Sequence, residues 1–265
     1  MIYFDNAAST AVHPEVVKEM IPYFDTQYGN PSSIHQFGRK AKNAIQKARK
    51  QVAALIGAEP DEILFTSGGT ESNNTILYGI PKSQGPKFVL NHIITSSIEH
   101  EAILEPCRDL EKNGVKVTYL PVDEHGIVNP NDITNSINPQ TVIVSVMFAN
   151  NEVGTIQPIK EISKICNKYQ IPLHTDAVQA VGKVPINVKE LGVDALSISS
   201  HKINGPKGVG ALFIKKGLTI APEILGGGQE NGMRSGTENV ASIVGFGKAC
   251  EIAKERLNEN ISHFQ

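Results

Sequence analysis

Short apolar runs alternate with helical patterns along most of the chain, and that alternation restricts the possible folds more than any other feature. The runs FVLNHIITS, KVTYLPV, TVIVSVMFA, IPLHTD, ALSISS and GALFIKK are rich in Val, Ile and Thr and have the length of buried strands. Helical patterns precede, separate and follow them: Pro14 to Phe24, Ser33 to Gly57 with Gly57 as the stop signal, Glu71 to Gly79, His100 to Asn113, Ile159 to Tyr169 and Val240 to Asn260. Parallel strands need long crossovers to return to the same edge, so this order predicts an α/β fold with a mostly parallel sheet covered by helices on both faces. No internal repeat, low-complexity tract or long Pro/Gly/Ser linker divides the chain, which predicts a single domain. In such sheets ligands gather at the carboxyl ends of the strands, so the polar residues just after each apolar run are the places to seek function.

Composition narrows the partners. The 265 residues are 40% hydrophobic, enough for a substantial core, and 25 Lys+Arg against 27 Asp+Glu leave no net basic field to gather nucleic acid or anionic lipid. Neither nucleic acid nor a membrane is an expected partner. The three cysteines, Cys107, Cys166 and Cys250, are too scattered for a disulfide framework and form no CxxC pair, so no metal is expected and a reducing, cytoplasmic setting fits best. The start, MIYFDNAAST, has no signal-peptide pattern, and no run approaches the roughly 18 apolar residues of a membrane span.

Three segments carry chemistry. In Phe65 to Ser72, Gly68 and Gly69 lie between a short strand and a helix start; such a turn offers backbone N–H groups and a positive helix end to a phosphate, with Thr70 adding a hydroxyl. The same residues suit a helix capped by Thr70 with no ligand. In IPLHTDAVQAVG, Asp176 emerges from a strand where its carboxylate can face a ligand, although an Asp there can equally cap the following turn. In SISSHKINGPKGVG, Lys202 follows a strand among Ser199, His201 and a Gly/Pro-rich turn, a setting in which a desolvated amine can attack an aldehyde; a lysine taken alone suits the surface. Together, at one edge of one sheet, a phosphate turn, a carboxylate and an amine match the three ends of pyridoxal 5'-phosphate.

At this point the motifs DNAAST, YGNPSSIHQFG, TSGGTESNN, the EH of SSIEHEA, NNEVG, HTDAVQAVG, SSHKINGPKGVG and GGGQENGMRSGTEN resemble those of the cysteine desulfurases, class-V aminotransferase-like members of the fold-type-I pyridoxal-phosphate enzymes, over essentially the whole chain. The resemblance implies a mostly parallel seven-stranded sheet sandwiched by helices, the large domain of these enzymes. It implies that Lys202 holds the cofactor covalently and then shuttles the substrate α proton, that Asp176 pairs with the pyridine nitrogen and that Gln179 bonds the ring's phenolic oxygen. His100 would stack on the ring and assist proton transfer; Gly69, Thr70, Ser199 and His201 would hold the phosphate; Asn151 would lie near the cofactor and the substrate carboxylate. Thr237 would reach the phosphate of a neighbouring subunit, which implies a homodimer. Asn30 and His35 lie in a segment similar to the family's active-site rim and are assigned no role.

The implied reaction takes L-cysteine to L-alanine and leaves sulfur as a persulfide on an enzyme cysteine, for transfer to an iron–sulfur scaffold or a tRNA-modifying protein. In the family the cysteine loop and the arginine that clamps the substrate carboxylate match no residue up to Gln265, and Cys107, Cys166 and Cys250 read as buried structural thiols. The resemblance also implies a smaller C-terminal domain, on the order of a hundred residues, missing here, with residues about 1–13 and about 250–265 as its remnants. An apolar stripe exposed along the helix from Val240 is the expected consequence. A catalytically silent cofactor-binding scaffold and a selenocysteine lyase stay open as alternatives.

Overall fold

In the computed structural model, which describes residues 2–85 and 91–264, with side chains through 262, the apolar runs form strands. These are β1 (Ile63–Thr66), β2 (His92–Ser96), β3 (Lys116–Leu120), β4 (Thr141–Ser145), β5 (Leu173–Asp176), β6 (Ala195–Ser199) and β7 (Gly210–Ile214). Phe88, Val89 and Leu90, expected at the start of the second strand, lie outside the described residues. The seven strands form one sheet in the order β1-β7-β6-β5-β4-β2-β3. All pairings from β3 across to β6 are parallel, and β7 runs antiparallel to both β6 and β1. The carboxyl ends of six strands therefore share one edge.

The helices are α1 (Pro14–Met20), α2 (Gln36–Ile56), α3 (Gly69–Ser83), α4 (Glu101–Lys112), α5 (Pro130–Ser136), α6 (Ile159–Tyr169), α7 (Val188–Leu191), α8 (Val240–Glu255) and α9 (Leu257–Phe264). Successive strand residues point to opposite faces, and the core divides accordingly. Leu64, Ile93, Ile143, Ala195 and Leu212 pack with Ile76, Leu77 and Ile80 of α3 and Ile103 of α4. Their neighbours Phe65, Ile94, Val144, Leu196 and Phe213 pack on the other face with residues of α1, α2, α6 and α8. Both faces are buried, which is why the runs read as continuously apolar rather than alternating.

Two expectations about the last helices are corrected. The pattern from Val240 to Asn260 is not one helix: it breaks at Arg256, with α8 ending at Glu255 and α9 starting at Leu257. Nor does α8 expose an apolar stripe, because α1 and α2 cover it and Phe246 is fully buried. The approach of α8 to α2 is close enough that a Cβ on Gly247 would lie 2.6 Å from the Cα of Ala48.

Candidate active site

The strand ends converge on a cavity of about 350 Å³. One wall is the turn from β1 into α3. Gly68 occupies the N-cap position of α3 and no side chain caps it; Thr70, the cap in the alternative reading without a ligand, is instead the second helical residue. The first-turn N–H groups of a helix have no intrahelical acceptor, and here Gly69 and Thr70 line the cavity. Gly69 cannot carry a side chain without displacing the opposite wall, since a Cβ would fall 2.7 Å from Val178 Cγ2. Glu71 holds the turn from behind: it accepts from Ser67 N (2.9 Å) and from Arg234 Nε (2.8 Å).

Asp176 ends β5 and is 7% exposed. Its Oδ1 accepts from Val178 N (2.9 Å) and its Oδ2 from Asn73 Nδ2 of α3 (2.7 Å). Burial raises the Asp176 carboxyl above its ordinary value, against these two hydrogen bonds and the nearby His100 and Lys202, which favour the anion. Beneath it, His174 on the same strand is wholly buried and bonded at both ring nitrogens, to Ser145 and Ser197 hydroxyls (2.9 Å each); burial pushes it down to about 3, so the imidazole is neutral.

Lys202 lies in the helical turn that follows β6. Burial lowers its amine from the usual lysine range, while Asp5 and Asp176 pull in the other direction. The amine donates to the carbonyl oxygens of Ala7 and Ala8, the latter at 2.9 Å. Gln179 Nε2 donates to the same Ala7 oxygen (2.9 Å), and Gln179 Oε1 accepts from Lys183 Nζ (2.9 Å). The N-terminal segment thus closes one side of the cavity. His201 Nδ1 lies 3.3 Å from Ser9 Oγ, and burial together with Lys202 and Lys207 lowers its ring from the ordinary value. The hydroxyls of Thr70 and Ser199 make no hydrogen bond among the described residues and both groups line the cavity.

His100 is the N-cap of α4: its Nδ1 accepts from Ala102 N (3.0 Å), which leaves Nε2 as the ring's available donor in the neutral form. Asn151 lines the cavity as well, whereas its neighbour Asn150 is a structural residue whose Oδ1 accepts from Glu152 N and Val153 N. Of the ten residues singled out from the sequence, Gly69, Thr70, His100, Asn151 and Asp176 share this cavity with Gln179, Ser199, His201 and Lys202. Thr237 does not; it is exposed in the loop between β7 and α8. Among the contacts that hold that loop are those of Arg234 with Glu71 and of Glu230 with Arg49 (3.0 Å). Ala8, Asn73, Ala102, Met147, Ala149 and Val178 complete the lining and were not singled out. The position of Asn73, one helical turn after Gly69 and within the motif TSGGTESNN, is the sequence signal that could have found it.

The donor set fits pyridoxal phosphate on the structure's own terms. An uncapped helix start with two free hydroxyls suits a phosphate dianion, a buried carboxylate that forms no salt bridge among the described residues suits a protonated ring nitrogen, and a partly desolvated amine suits an aldehyde. Among the described residues no His/Cys/Asp/Glu cluster could hold a metal ion, and no helix is long and apolar enough to cross a membrane.

A sheet of this order with such a set at its carboxyl edge is the large domain of a pyridoxal-phosphate-dependent transferase. Residues 2–263 match the aminotransferase class-V family, and the chain belongs to that family, in its cysteine desulfurase branch. It is 55% identical to the cysteine desulfurase IscS of Dictyoglomus turgidum over 98% of the chain and 66% of that protein. It is 54% identical to IscS of Methanosarcina thermophila over 98% of the chain and 64% of that protein. Among solved structures, a NifS-like protein superimposes with a TM-score of 0.94 at 46% identity, covering 97% of this chain and 71% of that one. SspA in complex with cysteine superimposes with a TM-score of 0.91 at 42% identity, covering 95% and 72%. The chain spans about two thirds of the length of the curated relatives it matches.

Proposed function

We propose that the chain is the cofactor-binding part of a cysteine desulfurase, which converts L-cysteine to L-alanine and passes the sulfur on as a persulfide. The observation that carries this reading is the shared cavity: a partly buried lysine, a buried carboxylate and an uncapped helix start face the same space. Bound pyridoxal phosphate supplies an electron sink for the charge that develops at the substrate α carbon. Asp176 would keep the ring nitrogen protonated, a role that its burial and its freedom from any salt bridge among the described residues support. The first turn of α3, with Gly69, Thr70, Ser199 and His201, holds the phosphate.

Lys202 binds the cofactor and, once released, moves the α proton through Nζ; a lowered pKa leaves more of the amine neutral and able to take it. The carbonyls of Ala7 and Ala8 are a resting place for that amine when it is free. His100 would lie against the ring with Nε2 available as a donor, Gln179 would reach the phenolic oxygen, and Asn151 would lie toward the substrate carboxylate. Thr237, exposed and outside its own cavity, completes the phosphate site of a second copy in a homodimer. Residues about 1–13 and about 250–265 are assigned to the smaller domain.

The sulfur-accepting thiol is none of the three cysteines here. All are buried; burial pushes Cys107 and Cys166 up to about 12 and Cys250 well above the ordinary thiol value, the reverse of what a nucleophile needs. An iron–sulfur scaffold or a tRNA-modifying protein then takes the sulfur, in the cytoplasm.

The test is to add pyridoxal phosphate to the purified chain, reduce with borohydride and map the added mass. Capture on the Lys202 peptide is expected, and a chain that takes up no cofactor, or is labelled only at other lysines, refutes the reading.

A further inference from the structure

Glu99 immediately precedes His100 and takes no part in the chemistry above, yet it is one of the few carboxyl groups removed from solvent, at 5% exposure. Its Oε1 accepts two hydrogen bonds, from Ser96 Oγ at the end of β2 (2.6 Å) and from Met147 N just beyond β4 (2.8 Å). Its Oε2 is buried and has no partner among the described residues. The segment between these anchors, Ser97 to His100, is held once more by Asn150, whose Nδ2 donates to Ile98 O (3.0 Å). From there the chain enters α4 with His100 as its cap, and Met147 shares the cavity lining with His100. We propose that Glu99 is a positioning residue that ties the β2–α4 loop to the end of β4 and so fixes where His100 stands over the cavity. The proposal rests on the cofactor reading above and adds to it the means by which the stacking residue is aimed.

Glu99 does this as a neutral acid. An anion would place half its charge on a buried oxygen that meets no donor among the described residues, which costs more than the unpartnered hydroxyl of the neutral acid, whose Oε1 stays the double acceptor. Burial, with Asp176 adding to it, raises Glu99 to about 8, and the two hydrogen bonds oppose the rise without cancelling it. The titratable groups facing it are Asp176 from β5 and Cys107 from α4, neither of them a cation; β2 and β4 offer it only neutral donors. Two buried carboxyls, each raising the cost of charging the other, cannot both ionise cheaply. Keeping Glu99 protonated leaves the anion on Asp176, where the ring nitrogen needs it.

The experiment compares wild type, Glu99→Gln and Glu99→Ala in the cofactor-free and cofactor-bound protein. Without cofactor, an infrared difference between wild type and Glu99→Gln should show a protonated carboxyl band at pH 7 that disappears above about pH 8. Amide exchange at Met147 and the His100 ring resonances should be preserved in Glu99→Gln, which keeps the acceptor. In Glu99→Ala the orphaned donors should speed Met147 exchange roughly five- to hundredfold and shift the His100 signals. With pyridoxal phosphate, Glu99→Gln should bind within about threefold of wild type at pH 7, with Glu99→Ala weaker by roughly tenfold. The alkaline weakening that wild type shows as Glu99 ionises should be absent in Glu99→Gln. An ionised carboxyl at pH 7, or Glu99→Gln behaving like Glu99→Ala, overturns the proposal. If wild type binds no cofactor, the functional reading fails, and the cofactor-free measurements still decide whether Glu99 fixes His100.

Discussion

Replacing Asp176 with Asn should separate cofactor binding from folding. In the variant, an amide nitrogen takes the place of Oδ2 and faces Asn73 Nδ2, which now donates at 2.7 Å. Asn73 can answer by turning its amide, because its own Oδ1 is buried and unpartnered. The turn restores a hydrogen bond, and the remaining oxygen of residue 176 still accepts from Val178 N. The packing cost should therefore stay within about 1 kcal/mol. Charge works the other way. Burial holds the Asp176 carboxyl above its ordinary value, so the folded cofactor-free chain binds that proton more readily than the unfolded chain does. Its contribution to stability is fully present below the unfolded carboxyl value, about pH 4, and is lost as pH rises through the raised folded value. At neutral pH wild type carries that loss and the Asn variant does not, so the cofactor-free variant should unfold at the same urea concentration or a higher one. Its affinity for pyridoxal phosphate should fall, because a charge-assisted hydrogen bond to the ring nitrogen is lost. At about 1.5–3 kcal/mol this is roughly ten- to hundredfold in Kd. Paired urea melts and absorbance titrations read both effects. A variant that binds within twofold of wild type, or that loses more than about 2 kcal/mol without cofactor, refutes the assignment of Asp176.

Lys202→Ala should still bind pyridoxal phosphate weakly but yield no borohydride-fixed adduct, as mass spectrometry of the digested protein will show. Glu230→Ala should cost about 3–5 kcal/mol in urea unfolding, because it leaves the Arg49 charge, at 11% side-chain exposure, with no counter-ion and only the Ile63 carbonyl as acceptor, and leaves Phe65 N without its acceptor. Adding Arg49→Met should recover part of that loss. His174→Asn should flatten the acid limb of stability. The folded imidazole titrates at about 3, so wild type loses stability as pH falls from the unfolded histidine value near 6.5 toward 3, by up to about 1.4 kcal/mol per pH unit. Urea midpoints across that range check it, and equal slopes in the two proteins refute it.

What could be read from the sequence follows from how each feature is encoded. The strands were legible because both sheet faces are buried, which makes Ile93-Ile94, Ile143-Val144 and Leu212-Phe213 apolar in pairs. Asp176 and Lys202 were legible as positions, since in a parallel sheet the residue after an apolar run must stand at the common edge. The short helices α5 and α7, of 7 and 4 residues, are below the length at which periodicity speaks. The burial of α8 was illegible because its cover comes from α1 and α2 some two hundred residues earlier. The Arg49–Glu230 pair, 181 residues apart, leaves no local mark either. The contacts that hold Lys202 use the main-chain oxygens of Ala7 and Ala8, which any residue could supply.

The ambiguous residues teach something different. Asp176 could be taken as a local cap or as a site residue, and the structure gives the capping bond both to it, from Val178 N, and to the site residue His100, from Ala102 N. The two readings do not compete. A carboxylate needs one oxygen anchored if the other is to hold a fixed line, and Asn73 then supplies the second anchor. An imidazole whose Nδ1 is committed to a backbone N–H has its tautomer chosen, so Nε2 becomes the donor. The cap is therefore the device that aims the side chain. A polar residue that caps an element at the carboxyl edge of such a sheet gains weight as a site candidate, because its rotamer is already fixed before any ligand arrives.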